Sequence, residues 1–462
     1  MMTVDERSRS IETAVEPQAR PRIAMMVVVT LVALVVAAFA LLAIDLGSNL
    51  GRTELVIVLA APVGLAFGLV AALRFEWFVL AVLVVRPSLD ALGTTELGPG
   101  AMLAAGFLAL AIVWLVVQHR EGEWRRLSVG TRGLVVFGAA VCASVTTSQL
   151  IGTSVVGALE IASGIAMFVV LEQLLVERPD RARRLVTAAL CSAIIPVAVG
   201  YVHWITGNYT VTNGGLGRVR STFVHPNPFA TYLVLIGLLA VATALGSRGR
   251  QRWLSSGLAI AAACLLIATY NRSGWIAFAI GISYLAYRQA RWLVVVLLAG
   301  TLVVGAAVPS VRDRVADLGD KQDFAYIPSD VPENSFEWRV QYWEELIPLA
   351  NDSPVTGIGP QVILDTRPEG LEPHNVFVQV YVEIGILGLA SLFAAAVAMG
   401  ITLRRRRRGA TGEWDAALAG AAVACCLAIL VMAPGENLLN QTMSWWYLAA
   451  CATWGYGQVS TR

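Results

Sequence analysis

The sequence has few charged residues for its length. Only 14% of its 462 residues are Asp, Glu, Lys or Arg, whereas 57% are hydrophobic. A water-soluble chain of this size needs more polar surface, so this scarcity excludes a soluble protein and predicts an integral membrane protein. Lysine is nearly absent as well, since Lys321 is the single lysine and every other Lys/Arg position is arginine. That bias is typical of a GC-rich genome and indicates no chemistry.

The sequence also lacks metal-binding motifs, nucleotide-binding motifs and internal repeats. The six cysteines lie inside apolar stretches without metal-ligand spacing, which favours buried, small hydrophobic residues. No acidic pair has the spacing of a divalent-metal site, and no glycine-rich nucleotide loop, internal repeat or folded cytoplasmic domain is present. We therefore expect one membrane domain that uses no metal and no cofactor, and that binds no nucleic acid.

Apolar runs of membrane-spanning length dominate the chain. They cover about 23–45, 53–73, 75–88, 101–118, 133–149, 154–176, 185–206, 223–245, 254–270, 273–288, 292–309, 375–401, 415–433 and 441–457. The third run is short, so we expect about 12–14 helices. The predicted fold class is an all-α polytopic membrane protein with a helical outer cap.

The charges in the breaks between these runs predict the orientation. Every second break is basic; these breaks hold Arg74, then Arg120, Arg125, Arg126 and Arg132, then Arg178, Arg181, Arg183 and Arg184, then Arg248, Arg250 and Arg252, then Arg288 and Arg291, and finally Arg404 to Arg408. By the positive-inside rule these short loops are cytoplasmic, and both termini lie inside. The opposite breaks face outward, and 207–222 and 310–374 carry most of their polar residues.

Four regions follow from this pattern. We expect a disordered cytoplasmic tail at 1–22, a transmembrane bundle at 23–309, an extracytoplasmic loop with an amphipathic helix at 310–374, and C-terminal transmembrane helices at 375–462. The run that begins at residue 23 is too long for a signal-peptide core, so it is predicted to be the first membrane helix. The expected location is a bacterial cell membrane.

A half-buried helix is predicted in the outer loop. Trp338, Tyr342 and Leu346 recur at helical spacing, and Arg339 stands at the border between the apolar stripe and water. A polar, glycine-containing stretch at 351–359 ends the helix. Trp338 and Trp343 suit stacking on sugars, but an interfacial aromatic belt explains them equally well.

Two of the four histidines are candidates for chemistry. His119 falls among cytoplasmic arginines, and His203 lies within an apolar run, where a structural role is as good an explanation. His225 and His374 remain. Each lies just before an outer helix start, where free backbone N–H groups and the helix dipole create a positive field.

That field favours a neutral imidazole and an anion site. His225 is followed by Asn227 and His374 by Asn375, in the sequences HPNP and PHN. A simple helix-capping role is the alternative for either histidine. We therefore assign Asn227 and Asn375 to the candidate binding residues beside the two histidines.

The outer arginines suit a phosphate or diphosphate at headgroup level. They are Arg218, Arg220, Arg272 and Arg339. A guanidinium matches phosphate oxygens, and the short turn that carries Arg272 places its charge at the membrane edge, where charges usually have partners or functions. The alternative is anchoring to anionic lipid, which also applies to Arg312 and Arg314.

The acidic residues of this region are fewer. Glu383 lies a little over two turns into the helix after His374, so it needs a partner, which an outer arginine or His374 could provide. Glu344 and Glu345 fit the wet face of the cap helix. Glu160 and Glu172 appear isolated within apolar runs.

The segments RVRSTFVHPNPFATYL, TYNRSGWIAF, SPVTGIGP and HNVFVQVYVEIGILG, in this order, resemble the O-antigen ligase and polymerase superfamily. Its members are multispanning glycosyltransferases that use polyprenyl-diphosphate-linked sugars. The resemblance covers roughly residues 218–389. It implies that an outer histidine and several arginines are needed for transfer, without metal or nucleotide sugar. The matching positions are His374, Arg339, Arg272 and Arg220.

The resemblance and the residues agree on one mechanism. The donor, a polyprenyl-diphosphate-linked oligosaccharide, is expected to bind with its diphosphate against Arg220, Arg272 and Arg339. His374 is expected to accept the proton of an attacking hydroxyl, and direct displacement gives inversion. The acceptor is a glycan, lipid or protein. The competing hypothesis is a flippase or other transporter, although transporters usually carry ionisable residues near the midplane.

Overall fold

The computed structural model describes residues 67–90, 98–175, 178–211, 217–289, 336–366 and 372–453. The predicted tail at 1–22, the predicted runs 23–45 and 292–309, and residues 310–335 of the predicted loop lie outside this part of the chain. So does the side chain of Trp338.

The described residues are almost entirely helical. The helices are α1 (Phe75–Val85), α2 (Pro99–Arg120), α3 (Val129–Thr147), α4 (Ile151–Leu175), α5 (Pro179–Cys191), α6 (Ile194–Thr206), α7 (Pro226–Gly246), α8 (Gly249–Ala268), α9 (Arg272–Gln289), α10 (Phe336–Leu346), α11 (Val362–Thr366), α12 (Val376–Gly409), α13 (Glu413–Met432) and α14 (Thr442–Ala452). Short 3₁₀ turns cover Arg86–Ser88 and Ile347–Asp352. Strands β1 (Thr210–Val211) and β2 (Gly217–Arg218) form one antiparallel pair, with Thr210 opposite Arg218.

Eight helical segments of the described chain are long and apolar enough to cross a membrane. They are Pro99–Arg120, Val129–Thr147, Ile151–Leu175, Asp180–Thr206, Pro226–Gly246, Gly249–Ala268, Val376–Gly409 and Glu413–Met432. The predicted fold class, an all-α polytopic membrane protein, is therefore confirmed. The predicted run 441–457 forms a shorter helix than expected, because α14 ends at Ala452 after 11 residues.

Two compact units divide the chain between Val79 and Leu80. In the first, the rings of Phe67 and Phe75 pack against Phe78, with centroids 5.9 and 5.6 Å apart. All residues of the candidate site belong to the second unit.

Helix α7 is the buried centre of the second unit. It packs against α8, α9, α13 and α14, and most of its side chains have no exposure to solvent. Its Tyr232 hydroxyl lies 2.7 Å from the Ser192 hydroxyl, and its ring meets Tyr447 edge-on at 4.9 Å. Because α7 is held on all sides, its first turn offers a rigid support for polar side chains.

Helix α12 is interrupted at Gly385, whereas the sequence predicted a continuous helix. Gly385 has φ 71°, and the loop at residues 354–359 runs against the interruption. Ile358 and Gly359 donate backbone hydrogen bonds to the carbonyls of Val382 (3.0 Å) and Glu383 (2.9 Å), and Ile386 donates to Pro354 (2.9 Å). The loop therefore satisfies backbone groups that the interrupted helix leaves free, which a membrane domain requires.

Helix α10 docks on this same region. Tyr342 and Leu346 are buried against Ile363 of α11 and Val382 of α12, while Glu344 and Glu345 are exposed. The predicted half-buried character of this helix is confirmed at these positions. Its apolar face fixes α10 beside the start of α12.

The two acids that appeared isolated have partners. Glu172 accepts hydrogen bonds from the Ser128 backbone (2.5 Å) and from the Ser128 and Thr131 hydroxyls. Glu160 accepts one from the side-chain amide of Gln361 (2.6 Å). The expectation of isolation was wrong, because these partners come from segments 41 to 201 positions away along the chain.

Candidate active site

Three helix N-termini meet at one end of the bundle. The α7 N-cap is His225, whose Nδ1 accepts from the Asn227 backbone N–H (3.2 Å). The α12 N-cap is Asn375, which accepts from Phe377 (2.9 Å). Asn271 precedes α9, and its Oδ1 accepts from the Gly274 backbone N–H (2.7 Å). The capping alternative thus describes His225, whereas at α12 the cap is Asn375 and not His374.

Arg218, Asn227 and Asn271 form a buried network between the first turns of α7 and α9. Arg218 donates from Nη2 to Asn227 Oδ1 (2.6 Å) and from Nε to the Thr269 carbonyl (2.7 Å). Asn271 Nδ2 donates to the same Asn227 oxygen (3.0 Å). Arg218 is only 2% exposed, which excludes the role of a lipid-facing anchor.

Glu436, which the sequence analysis passed over, is the buried acid of this cluster. Its Oε1 accepts from Asn271 Nδ2 (2.8 Å) and Ser273 Oγ (2.5 Å). Its Oε2 is buried and, among the described residues, has no hydrogen-bond partner. Burial raises the pKa of Glu436, while Ser273, Asn271, Arg339 and Arg218 act in the opposite direction. The available signal was the polar GENLLN sequence in the short break at 434–440.

His374 is held by Asn437. Its backbone N–H donates to Asn437 Oδ1 (2.6 Å), and its ring Nδ1 lies 2.9 Å from Asn437 Nδ2. Burial, together with the charges of Arg339, His225 and Arg218, lowers the pKa of His374 to about 3. The structure therefore brings His374, Arg339, His225 and Arg218 into one electrostatic cluster, which we call the polar site together with Asn227, Asn271, Glu436 and Asn437.

Arg339 joins α10 to the polar site. Its Nη1 donates to the carbonyl of Gly435 (3.2 Å), next to Glu436, and its charge acts on both Glu436 and His374. Burial also lowers the pKa of the His225 ring, to about 4, with Arg218 contributing. Both histidines are thus neutral near pH 7, in surroundings that favour a bound anion.

Trp343 supports the histidine segment from α10. Its indole Nε1 donates to the Pro373 carbonyl (2.6 Å), immediately before His374. A side chain whose polar group is engaged in this way positions the 372–375 segment. The structure therefore favours a supporting role for Trp343 over the sugar-stacking role.

Replacing Trp343 with phenylalanine is expected to destabilise the protein by about 0.5–1.5 kcal/mol, since it leaves the Pro373 carbonyl without its donor. Thermal unfolding of the purified protein in detergent measures this change. Ring contact with substrate instead predicts weaker binding of donor glycan with an unchanged unfolding temperature.

Three other candidates are Arg220, Arg272 and Glu383. Arg220 is exposed and donates to the Val224 carbonyl (3.3 Å), at the rim. Arg272 begins α9, between the two residues that bind Glu436. Glu383 is buried in α12 and accepts from Gln379 Nε2 (3.2 Å). Among the described residues, the hydrogen-bond partners of Glu383 are the Gln379 side chain and the backbones of Gln361 and Ile363, not the expected arginine or histidine.

Two apolar cavities lie along α12 and α13. One of 110 Å³ begins at Val376, Ala433 and Leu438, next to His374 and Asn437. A second, of 760 Å³, shares Leu392, Ala396, Ile429, Leu430, Trp445 and Leu448 with the first. The second reaches the other end of α12, at Arg404, Arg407 and Arg408. The two cavities form an apolar path along α12 and α13.

Arginines and histidines gathered at helix N-termini in a helical membrane protein provide donors that suit an anionic ligand. Residues 257–393 match the family model described as O-Antigen ligase. This match confirms the resemblance to the O-antigen ligase and polymerase superfamily. It includes Arg272, Arg339, His374 and Glu383, whereas Arg218, His225, Glu436 and Asn437 lie on either side of it. No curated protein matches the chain.

Proposed function

We propose that this protein is a membrane glycosyltransferase that moves glycan from a polyprenyl diphosphate donor to an acceptor hydroxyl. The observation that carries this proposal is the polar site itself. It combines three helix N-termini with Arg218 and Arg339, and an apolar cavity lined by Val376, Ala433 and Leu438 lies beside residues that neighbour the site in sequence. Such a site suits a ligand that is anionic at one end and a long hydrocarbon at the other.

The diphosphate fits the charge of the site. Guanidinium groups and free backbone N–H groups at helix starts are the donors that phosphate oxygens prefer. Arg339 is the central cation. Arg272 lies at the start of α9, and Arg220 lies at the rim of the polar site. Negative charge grows on the diphosphate as it leaves the sugar, so fixed positive charge stabilises the transition state more than the bound donor.

The polyprenyl chain fits the cavities along α12 and α13. The smaller cavity begins two residues after His374, so a diphosphate at the polar site would direct its chain into it. An acceptor hydroxyl that attacks the anomeric carbon directly gives inversion, and the leaving diphosphate needs no metal when arginines compensate its charge. The acceptor is another lipid-linked repeat, a lipid or peptidoglycan anchor, or a protein hydroxyl, and the product is a surface glycan.

The orientation proposed from the sequence supports an active site on the outer face. Helix α12 begins at the polar site and ends at the basic stretch Arg404–Arg408. By the positive-inside rule that stretch is cytoplasmic, which directs the polar site outward. In the same scheme both termini lie in the cytoplasm, and residues 310–374 form an extracytoplasmic loop.

Replacing His374 with alanine is expected to reduce release of polyprenyl diphosphate about 10²-fold, because the ring lies at the centre of the polar site. The measurement uses a labelled lipid-linked oligosaccharide and membranes that hold either the normal protein or the variant. Alanine at His119, which is exposed at the end of α2, is the matched control and is expected to leave release unchanged.

The same membranes separate a transferase from a flippase. Transfer of labelled sugar to an acceptor by the normal protein supports the proposal. If the donor crosses the bilayer intact in the presence of the normal protein and no diphosphate is released, the protein is a transporter and the proposed chemistry is wrong.

A further inference from the structure

We infer that Asn437 fixes His374 as the neutral tautomer with its proton on Nε2, so that the ring donates a hydrogen bond to the donor diphosphate. Asn437 is then a positioning residue, and His374 is a donor rather than the base expected from the sequence. The assignment to the diphosphate rests on the proposed function. The assignment of the tautomer rests on the geometry alone.

The first step concerns the amide of Asn437. A backbone N–H can only donate, so the Asn437 atom that lies 2.6 Å from the His374 nitrogen must be the amide oxygen. This contact fixes the direction of the whole amide group. The amide nitrogen consequently points to the ring of His374.

The second step concerns the ring. The Asn437 nitrogen lies 2.9 Å from His374 Nδ1, and an amide NH₂ can only donate. Nδ1 must therefore present its lone pair, because a proton on both atoms would leave two donors facing each other. A neutral imidazole with a free Nδ1 carries its proton on Nε2.

The third step concerns the rigidity of this arrangement. His374 has φ 50°, Asn375 caps α12 and Trp343 binds the preceding carbonyl, so the backbone on both sides of the histidine is held. The charged and titratable groups that act on the ring are Arg339 of α10, His225 at the start of α7 and Arg218 of β2. All three oppose a second proton on the ring, so the neutral Nε2–H form persists across the working pH range.

The reaction balances without a proton on Nδ1. The bond between the acceptor oxygen and the anomeric carbon forms, and the bond between that carbon and the diphosphate oxygen breaks. The electron pair leaves with the diphosphate, the hydroxyl proton passes to an oxygen of the released diphosphate, and His374 keeps its own proton while donating from Nε2. Its contribution is stabilisation of the leaving group, as with donors of an oxyanion hole.

The tautomer is measured directly by ¹⁵N nuclear magnetic resonance on the full-length protein labelled in its histidine rings. The chain has four histidines, and the signals lost in His374→Gln assign this one. We expect an unprotonated Nδ1 and a protonated Nε2 at pH 7. A protonated Nδ1 overturns the inference, and this result does not depend on any activity.

The pH dependence of diphosphate release shows whether His374 acts as a hydrogen-bond donor or as a base, because the two roles predict opposite slopes. In Asn437→Asp, a carboxylate accepts from both the backbone N–H and Nδ1–H, so the neutral ring presents a lone pair at Nε2 and its pKa rises. A donor loses its proton as the pH rises through that pKa, so release by this variant falls with increasing pH. A base gains its lone pair over the same range, so a release rate that rises with pH overturns the donor role.

Glutamine at His374 provides the second test, since its side-chain amide places a donor near the Nε2 position. We expect His374→Gln to retain release within about tenfold of the normal protein, while alanine loses about 10²-fold. Equal losses in the two variants contradict a donor. Asn351→Asp, at an exposed position, controls for the added charge. If the normal protein releases no diphosphate, the proposed function fails, while the resonance measurement still decides the tautomer.

Discussion

Replacing Arg339 with alanine is expected to lower release of polyprenyl diphosphate about 10³-fold, the largest loss among the variants of the polar site. Arg339, on α10, acts through its charge on both His374 and Glu436. Its removal takes away a fixed positive charge where the leaving group gains negative charge. Labelled lipid-linked oligosaccharide in membranes provides the measurement.

Two further variants make this result specific. Lysine at 339 keeps the charge but not the planar fork, so we expect an intermediate loss. Alanine at Arg250, an exposed residue in the first turn of α8, removes the same charge away from the site and is expected to change nothing. Because Arg339 also binds the Gly435 carbonyl, thermal unfolding must be compared as well. A fully active Arg339→Ala protein contradicts a diphosphate at this position.

Replacing Gly385 with alanine is expected to destabilise the protein by about 3 kcal/mol or more. At φ 71° and ψ −169°, a conformation essentially confined to glycine, any side chain costs about 1–3 kcal/mol. A Cβ would also collide with the backbone carbonyl of Val355, in the loop that lies against the interrupted helix. Backbone on both sides of this contact is held by hydrogen bonds, so neither segment can give way at low cost. Thermal unfolding in detergent measures the loss.

Gly400 of the same helix is the matched control. A Cβ there meets no atom within 4 Å, and the residue is helical. Alanine at Gly400 is expected to be neutral or to stabilise by up to about 1 kcal/mol, because alanine is the better helix former. If both variants unfold at the same temperature, α12 is not interrupted at Gly385.

Two residues of the polar site, Glu436 and Asn437, were not identified from the sequence. His374 and Arg339 were found because each has a local signature, a polar pair at a helix start and a charge on an amphipathic helix. Glu436 and Asn437 have only a short polar break as a signal, and their role becomes visible because packing places them against Ser273 and His374, which are 163 and 63 positions away. The interruption of α12 was missed for a similar reason, because its hydrogen-bond partners come from the loop at 354–359.

The sequence by itself determined that this is a helical membrane protein, and it indicated the polar segments of the candidate site. Hydropathy is a property of the chain alone, and a membrane converts it directly into spanning helices. The tertiary structure decided which side chains meet. It placed the side-chain amide of Asn437 against the backbone N–H and the ring Nδ1 of His374, and it buried Glu436 beside the arginines. Hydrogen-bond direction and burial depend on distant segments, which only the packed helices bring together.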